Sequence, residues 1–539
     1  MYSGAGKDMT VRTSMTCGLL LLATSMGAAQ VLIPDFRVNR AADNLKGLWR
    51  TSVAAMPDGR FAVAWQDFND YDIPVTEQPR IAVQMFSANA SAFGALNLFR
   101  GESRSLSIWT SDFLEGNPDI AYMPDGTLLV AVEHEGRLSI GVDDVGSSEV
   151  GFGAISSGGE IIDISNGNGV ILWNATTRVD WQEHPRIAVD PAGNILLVAN
   201  GPTFDTRRHS IEMQVFDANG NYAGNPIIPH AADAGPDFNH YFADVATNGE
   251  VLVVCWQDGR QEVNFDITAQ FYDINGPTGQ NLKVNAGDLA GILNIWPSVA
   301  MNSSGASVVV WGDARITSAG DVYGQRFNAA GAPVGDNFRI SNGRGEIMDR
   351  PEVAMLNNGN FMVVWTDSSA VFGDDAFRAM GRQFTADAQP IDEPFVIPGV
   401  EVPSGLVNIA SDGNAYYCAW LDGRDQSAYW NVYAKKFGPA VTGVESAAAA
   451  MPRNFELADA YPNPFNPETT IAFSIAQTSH VEISVFNTVG ERVAILAEAP
   501  FEAGDHEVIF SARHLPSGVY IYRIQAGGFS DSKKVLLLK

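Results

Sequence analysis

The segment Pro297-Ser-Val-Ala-Met-Asn-Ser-Ser-Gly-Ala-Ser-Val-Val-Val-Trp311 returns later in the chain as Pro351-Glu-Val-Ala-Met-Leu-Asn-Asn-Gly-Asn-Phe-Met-Val-Val-Trp365. Each copy reads as a short apolar strand, a tight turn carrying Gly and a second apolar strand that ends in Trp. Outward from this pair, the turn glycine recurs at Gly59, Gly126, Gly193, Gly249, Gly305, Gly359 and Gly413, at intervals of 67, 67, 56, 56, 54 and 54 residues. The strand-ending Trp recurs at Trp65, Trp256, Trp311, Trp365 and Trp420, while the second and third units carry Val132 and Ala199 there. A third strand ends on an aromatic before a turn, at Phe216, Tyr272 and Phe327, with Phe86, Phe384 and Phe437 in the same place. A fourth follows, as in Asn281-Leu-Lys-Val-Asn-Ala and Asn337-Phe-Arg-Ile-Ser-Asn.

Four short strands, repeated seven times, predict an all-β chain whose main body is a seven-bladed β-propeller. The last unit stops at Phe437 without a fourth strand, and Asp35-Phe-Arg-Val-Asn39 carries that strand's pattern ahead of the first unit. It is expected to close the ring by pairing with the third strand of the last blade. An eighth blade built from Gly146 to Gly169, where the intervals are longest, stays open.

The apolar content, 46% of 539 residues, supports a large core, and 52 Gly with 27 Pro supply the turns. A formal net charge of −28 disfavours nucleic acid and anionic lipid as partners. Cys17, Cys255 and Cys418 are too few for a disulfide scaffold and too dispersed for a zinc site. Lys7 and Arg12, the apolar run from Gly18 and the small residues Gly27-Ala28-Ala29 have the layout of a signal peptide, placed at 1–29. No later stretch is apolar over the length a membrane-spanning helix needs. The propeller is expected over 30–440, a low-complexity linker over 441–458 and a different module over 459–539.

That module opens with Tyr461-Pro-Asn-Pro-Phe465 and continues through Val485-Phe-Asn-Thr-Val-Gly-Glu-Arg-Val493, Ala503-Gly-Asp-His506 and Leu515-Pro-Ser-Gly-Val-Tyr520 to the terminal Lys-Lys-Val-Leu-Leu-Leu-Lys539. Its alternating strands predict a small β-sandwich. In this order the pieces resemble the type A C-terminal sorting domain of the type IX secretion system, related to the immunoglobulin-like module of flagellar hook-capping proteins. The resemblance marks Tyr461, Pro462, Asn463, Pro464, Phe465, Gly518, Tyr520, Lys533 and Lys534 as its motif residues. It implies the outer-membrane secretion machinery as partner and an extracellular or bacterial cell-surface location. A further immunoglobulin-like spacer would share the fold.

For chemistry, eight His are scattered and form no metal-ligand or nucleophile motif. The recurrent Trp-x-Asp is Trp65/Asp67, Trp256/Asp258, Trp311/Asp313, Trp365/Asp367 and Trp420/Asp422, with Arg260, Arg315 and Arg424 two residues past three of the Asp. Recurrence points to a structural task, because a catalytic centre needs each residue once. The likeness to sialidase-type propellers is one of fold only, since the aromatic sits differently from that in their Asp-box. The loop Asp67-Phe-Asn-Asp-Tyr-Asp72 offers oxygen ligands to Ca²⁺ but lacks the Gly and the distal Glu of a calcium loop, so it reads as a solvated acidic loop and no cofactor is expected. Asp374-Asp375 and Asp422 to Asp425 could face each other across the ring as acid and base.

The long connections all leave one end of the ring, which makes that face the candidate binding surface. Its aromatics are Trp109, Phe113, Trp173, Trp181, Phe238 and Tyr241. Trp296, beside Pro297 at a strand start, reads instead as buried between blades. The expected function is a binding or scaffold module for an extracellular glycan or protein. Its rivals are a sialidase-like or other glycoside-cleaving enzyme with its site at the mouth of the ring, and a structural surface or adhesion component.

Overall fold

The computed structural model describes residues 30–39, 48–67, 80–99, 114–140, 143–162, 170–173, 183–202, 209–230, 239–261, 264–286, 293–315, 320–342, 349–368, 377–398, 400, 402–424, 430–439, 456–457, 460, 462–475, 479–501, 504–526 and 529–538. The predicted signal peptide and linker lie almost wholly outside them. The chain divides into two compact units, Met1–Ala440 and Val441–Lys539. Among the described residues there is no helix.

The first unit is a β-propeller with seven antiparallel sheets among the described residues. Their innermost strands, in chain order, are Leu48–Ala55, Leu114–Tyr122, Glu183–Val189, His240–Thr247, Asn294–Met301, Glu352–Met355 and Ser404–Ser411. Each packs against the next, and the seventh packs against the first, so the sheets form a closed ring around an axis. The chain supplies the closure itself: Val31–Arg37 pairs antiparallel with Asn431–Phe437 as the outer strand of the seventh sheet. Two further links fix this joint. Asn39 Oδ1 accepts the Val432 N–H at 3.0 Å, and Arg424 bonds Asp35.

Two sheets depart from the four-strand pattern. In the second, a long hairpin of Leu128–Ile140 and Asp143–Ile155 carries both Ile161–Ile162 and Val170–Trp173 on its outer strand, so the described residues between Gly146 and Gly169 extend this sheet. In the third, three strands are followed by isolated bridges at Tyr222 and Ile227 in place of a fourth.

The seven turn glycines, Gly59 through Gly413, all have φ between 80° and 91°, a conformation a Cβ disfavours. Each joins two strands whose apolar residues are sealed between neighbouring sheets. Between the seventh and first sheets, for example, Ala419, Tyr417 and Leu421 meet Val63, Trp65 and Phe61. Cys255 and Cys418 are buried, unlinked members of such layers.

The second unit is a two-sheet β-sandwich. One sheet joins Glu456–Leu457, Glu468–Ile475 and Gly504–Ser511, and the other joins Arg492–Phe501, Ser479–Phe486, Gly518–Ala526 and Phe529–Leu537. Ile471, Phe473, Val481, Ile483, Tyr522 and Ile524 fill the space between them.

Candidate functional site

Trp256, Trp311 and Trp420 are fully buried, and each indole N–H donates to the Asp two residues on, at 3.1, 3.0 and 2.9 Å. The same Asp accepts the backbone N–H and guanidinium of Arg260, Arg315 or Arg424. This places a closed polar clip at the end of the second strand in the fourth, fifth and seventh sheets, with Asp258, Asp313 and Asp422 buried inside it. Trp65 and Trp365 are equally buried, and Asp367 is buried beside its Trp. Asp422 is therefore enclosed, and Asp374, Asp375 and Asp425 lie outside the described residues, as does the acidic loop beyond Asp67.

A different set of residues converges on the ring axis. Six of the seven innermost strands bulge at the same place, and the residue there has a positive φ although it is not Gly: Arg50 (46°), Asn117 (46°), His184 (53°), Phe242 (52°), Trp296 (56°) and Leu406 (49°). In the sixth sheet Arg350 stands at the equivalent position. A bulge leaves its extra residue out of the ladder and re-aims its side chain. Left-handed backbone at non-Gly residues costs on the order of 1–3 kcal/mol each and concentrates at functional sites. All seven side chains line one pocket. The mouth lies at the starts of the innermost strands, the end from which the long connections also leave. Trp296 is thus on the pocket wall, half-buried, and not sealed between blades.

Two residues further along each innermost strand is a polar ring: Ser52, Asp119, Arg186, Asp244, Ser298, Glu352 and Asn408. Four of these accept the backbone N–H at the start of the next sheet's apolar layer. Ser52 takes Ile120 at 3.3 Å, Asp119 takes Ile187 at 2.9 Å, Asp244 takes Val299 at 2.8 Å and Asn408 takes Val53 at 3.1 Å. Ser52 also donates to Asp119 and Ser298 to Glu352. Arg186 enters this girdle from the third sheet. It pairs closely with Glu352 of the sixth, and its guanidinium lies 3.6 Å from Asp119 and 3.9 Å from Asp244. Arg350 reaches back from the sixth sheet to Asp244 at 3.4 Å. The Arg186–Glu352 and Arg350–Asp244 pairs join non-adjacent sheets, so they reach across the axis, and Arg186 and Glu352 line the bottom of the pocket.

The electrostatics follow from burial and pairing. Burial raises the Asp119 carboxyl to about 6, with Arg186 and the Ile187 N–H opposing and Asp244 and Glu352 adding to the rise. Burial also acts on Glu352, but Arg186 and Arg350 outweigh it and hold the carboxyl below its usual range. Arg186 is held protonated more firmly than usual: burial opposes this, and Glu352, Asp119 and Asp244 prevail. Burial, with Arg50 and Arg350 nearby, lowers His184 to about 3 and keeps it neutral. At the wall, Arg50 lies 3.9 Å from Asp349, whose carboxyl burial raises.

Of the aromatics singled out in the sequence, Trp109, Phe113, Trp181 and Phe238 lie outside the described residues. Trp173 ends a strand of the second sheet. Tyr241 precedes the bulged Phe242 and packs on His209, with ring centroids 4.6 Å apart. A signal for the pocket was present in the sequence. Proline inside a strand marks a bulge, and Pro118, Pro185, Pro297 and Pro351 each follow a pocket residue.

In the second unit, Phe465 is buried and exchanges backbone bonds with the last strand, donating to Leu536 and accepting from Leu538. Asn463 accepts the Leu536 N–H and donates to the Lys534 carbonyl. The Tyr520 hydroxyl donates to the Pro516 carbonyl. Gly518 begins the strand that pairs with Phe529–Leu537, which contains Lys533 and Lys534. Tyr461 lies outside the described residues.

Residues 459–538 match the secretion system C-terminal sorting domain family. This tail implies secretion through the type IX machinery, to the cell surface or the extracellular space. No curated protein matches the chain. Among solved structures, an α-L-arabinanase of Penicillium chrysogenum is 11% identical over 76% of this chain and 98% of its own, with a TM-score of 0.36. An ulvan lyase of a polysaccharide lyase family is 14% identical over 77% and 100%, TM-score 0.45. The NanB sialidase of Streptococcus pneumoniae is 10% identical over 76% and 71%, TM-score 0.38. Likeness at this level carries no argument about what this chain binds or does.

Proposed function

We propose that this exported chain is an extracellular binding module, and that its propeller takes a glycan or a protein surface in the axial pocket without turning it over. The leader at 1–29 would carry it across the first membrane and the tail across the second. The observation that supports binding is the axial convergence itself: side chains of seven sheets, six of them set by a locally unfavourable backbone, line one pocket. The residue types differ from sheet to sheet, as a ligand with unlike sides demands. Trp173, Trp181, Trp109, Phe113, Phe238 and Tyr241 would extend this surface beyond the mouth.

One observation favours the glycoside-cleaving rival. Asp119, with its pKa raised to about 6, and Glu352, held below its usual range, both meet Arg186 at the bottom of the pocket, the kind of divergence an acid and its partner carboxylate need. Against it, Asp119 and Glu352 are already engaged by Ser52, Ile187, Ser298 and Arg186. A retention assay decides between the readings. The secreted chain is presented with extracellular polysaccharides and cell-surface proteins, and retained material is checked for cleavage. Retention that Trp296→Ala abolishes at unchanged Tm supports binding. Cleavage that Glu352→Gln abolishes, in a variant whose melt shows it still folded at the assay temperature, makes the chain an enzyme.

A further inference from the structure

We infer that the axial pocket receives the terminal residue of an uncharged glycan chain; this rests on the binding reading above and narrows it. The carrying observation is that the pocket wall is divided into two unlike arcs. His184, Phe242 and Trp296 stand on three consecutive sheets, and the His184 and Phe242 rings are already in contact, with centroids 4.9 Å apart. The rest of the wall is mainly polar, bringing Asp349 and Arg350 from the sixth sheet, Arg50 from the first and Asn117 from the second, with Leu406 of the seventh as its one apolar member among these bulge positions. A pyranose has the same division, a face of C–H bonds that stacks on aromatic rings and an edge of hydroxyls that needs donors and acceptors together. Arg50 and Asp349, 3.9 Å apart, set a donor beside an acceptor on the wall, and the Arg50 side chain is 38% exposed.

Charge selects among sugars. Each guanidinium at the pocket has a carboxylate already: Arg50 has Asp349, Arg186 has Glu352 and Arg350 has Asp244. With Asp119 the carboxylates outnumber the guanidiniums, and the whole chain carries −28. A uronate or a sulfated sugar would find no surplus cation here and would approach through a repelling field. A neutral sugar meets no such barrier.

The floor selects the chain end. Arg186 pairs with Glu352 across the axis, flanked by Asp119 and Asp244, so the pocket is blind. A polymer cannot thread such a ring, and what reaches the aromatic arc is its last residue.

The test uses the full secreted chain and saturation-transfer NMR, with methyl glycosides of neutral pyranoses and their uronide counterparts as probes. Transfer to the ring C–H protons of a neutral glycoside is expected, with affinity about ten-fold weaker for the matching uronide. Trp296→Ala should abolish the signal. Trp296→Phe, which keeps a ring at the site, should weaken it, and Arg50→Met should weaken binding about ten-fold. The bound glycoside should also displace a retained polysaccharide. A uronide that binds as tightly as its neutral partner, or a retained ligand that proves to be a protein, overturns the inference. So does polymer retention that Trp296→Ala abolishes but no terminal glycoside displaces, and in that case the binding reading stands. Failure to retain any polymer or surface protein defeats both.

Discussion

Replacing Arg186 by Met keeps the aliphatic stem but removes the one guanidinium, among the described residues, that is near Asp119, Asp244 and Glu352 together. What remains is Arg350, 3.4 Å from Asp244 and 3.7 Å from Glu352 and already lowered in basicity by its burial. Removing one partner of a buried ion pair costs about 3–5 kcal/mol, because the other charge stays buried and uncompensated. With an unfolding entropy of about 2.1 cal/mol/K per residue over roughly 400 propeller residues, that corresponds to a fall in Tm of about 4–6 °C. The loss has a pH signature. Without Arg186 the folded pKa of Asp119 rises further above the unfolded value and Glu352 loses the main partner that holds it down, so protonation relieves the strain at low pH and the cost grows as pH rises through the folded values. Thermal melts at pH 5 and pH 8, with chemical denaturation as a second readout, measure this directly. Arg186→Met should cost more at pH 8, and Arg186→Met/Glu352→Gln should recover at least about 1 kcal/mol relative to additivity. A loss below about 1 kcal/mol at pH 8, the scale of an exposed pair, would refute the assignment of Arg186 as the axial plug.

Three further outcomes are expected. Deleting residues 31–39 removes the strand paired with Asn431–Phe437 and the Asp35 bond to Arg424, leaving an open sheet edge. It should lower Tm far more than deleting residues 445–452, and equal melts would contradict ring closure by this strand. Asp313→Ala leaves the buried Trp311 N–H and the Arg315 guanidinium without their acceptor, which should cost about 1–3 kcal/mol in denaturant titrations and leave pocket binding intact. Burial lowers His184 and His230 to about 3 and His240 to about 4, all below the unfolded value. Their contribution is complete above about pH 6.5 and lost as pH falls toward the folded values. Asp119 and Asp392, raised to about 6, and Asp349, also raised by burial, oppose this, while Asp258 and Glu352, held below their usual range, add to it. Tm should therefore fall as pH drops below 6.5, and a flat or rising profile would count against neutral buried imidazoles.

What the sequence made legible is what repeats. The hairpins, the turn glycines, the buried Trp and the closing strand recur or complete a period, so one copy predicts the others. The pocket is the opposite case. Its column reads Arg50, Asn117, His184, Phe242, Trp296, Arg350 and Leu406, seven positions with hardly a shared residue type, and a search for recurrence passes over it. Trp296 shows the physical reason: beside Pro297 it looks like a strand-start residue sealed between blades, but the bulge gives it a φ of 56° and turns it to the axis. The girdle was hidden for a related reason. Asp119, Arg186, Asp244 and Glu352 look like solvated charges in a row of letters, and only ring closure brings the third sheet's Arg against the sixth sheet's Glu. The divergent second and third units lack the Trp signature, and they are also the sheets with a surplus and a deficit of strands.

Hydrogen exchange of the intact secreted chain, with and without the polymer it retains, tests the central claim most directly. A ligand seated in the axial pocket touches the start of every innermost strand at once. Added protection is therefore predicted together at 48–51, 115–118, 183–186, 240–243, 294–297, 349–352 and 404–407, with none at the turns around Gly59, Gly126 or Gly305. Protection confined to one sheet, to an outer strand or to the turn face would contradict an axial binding site.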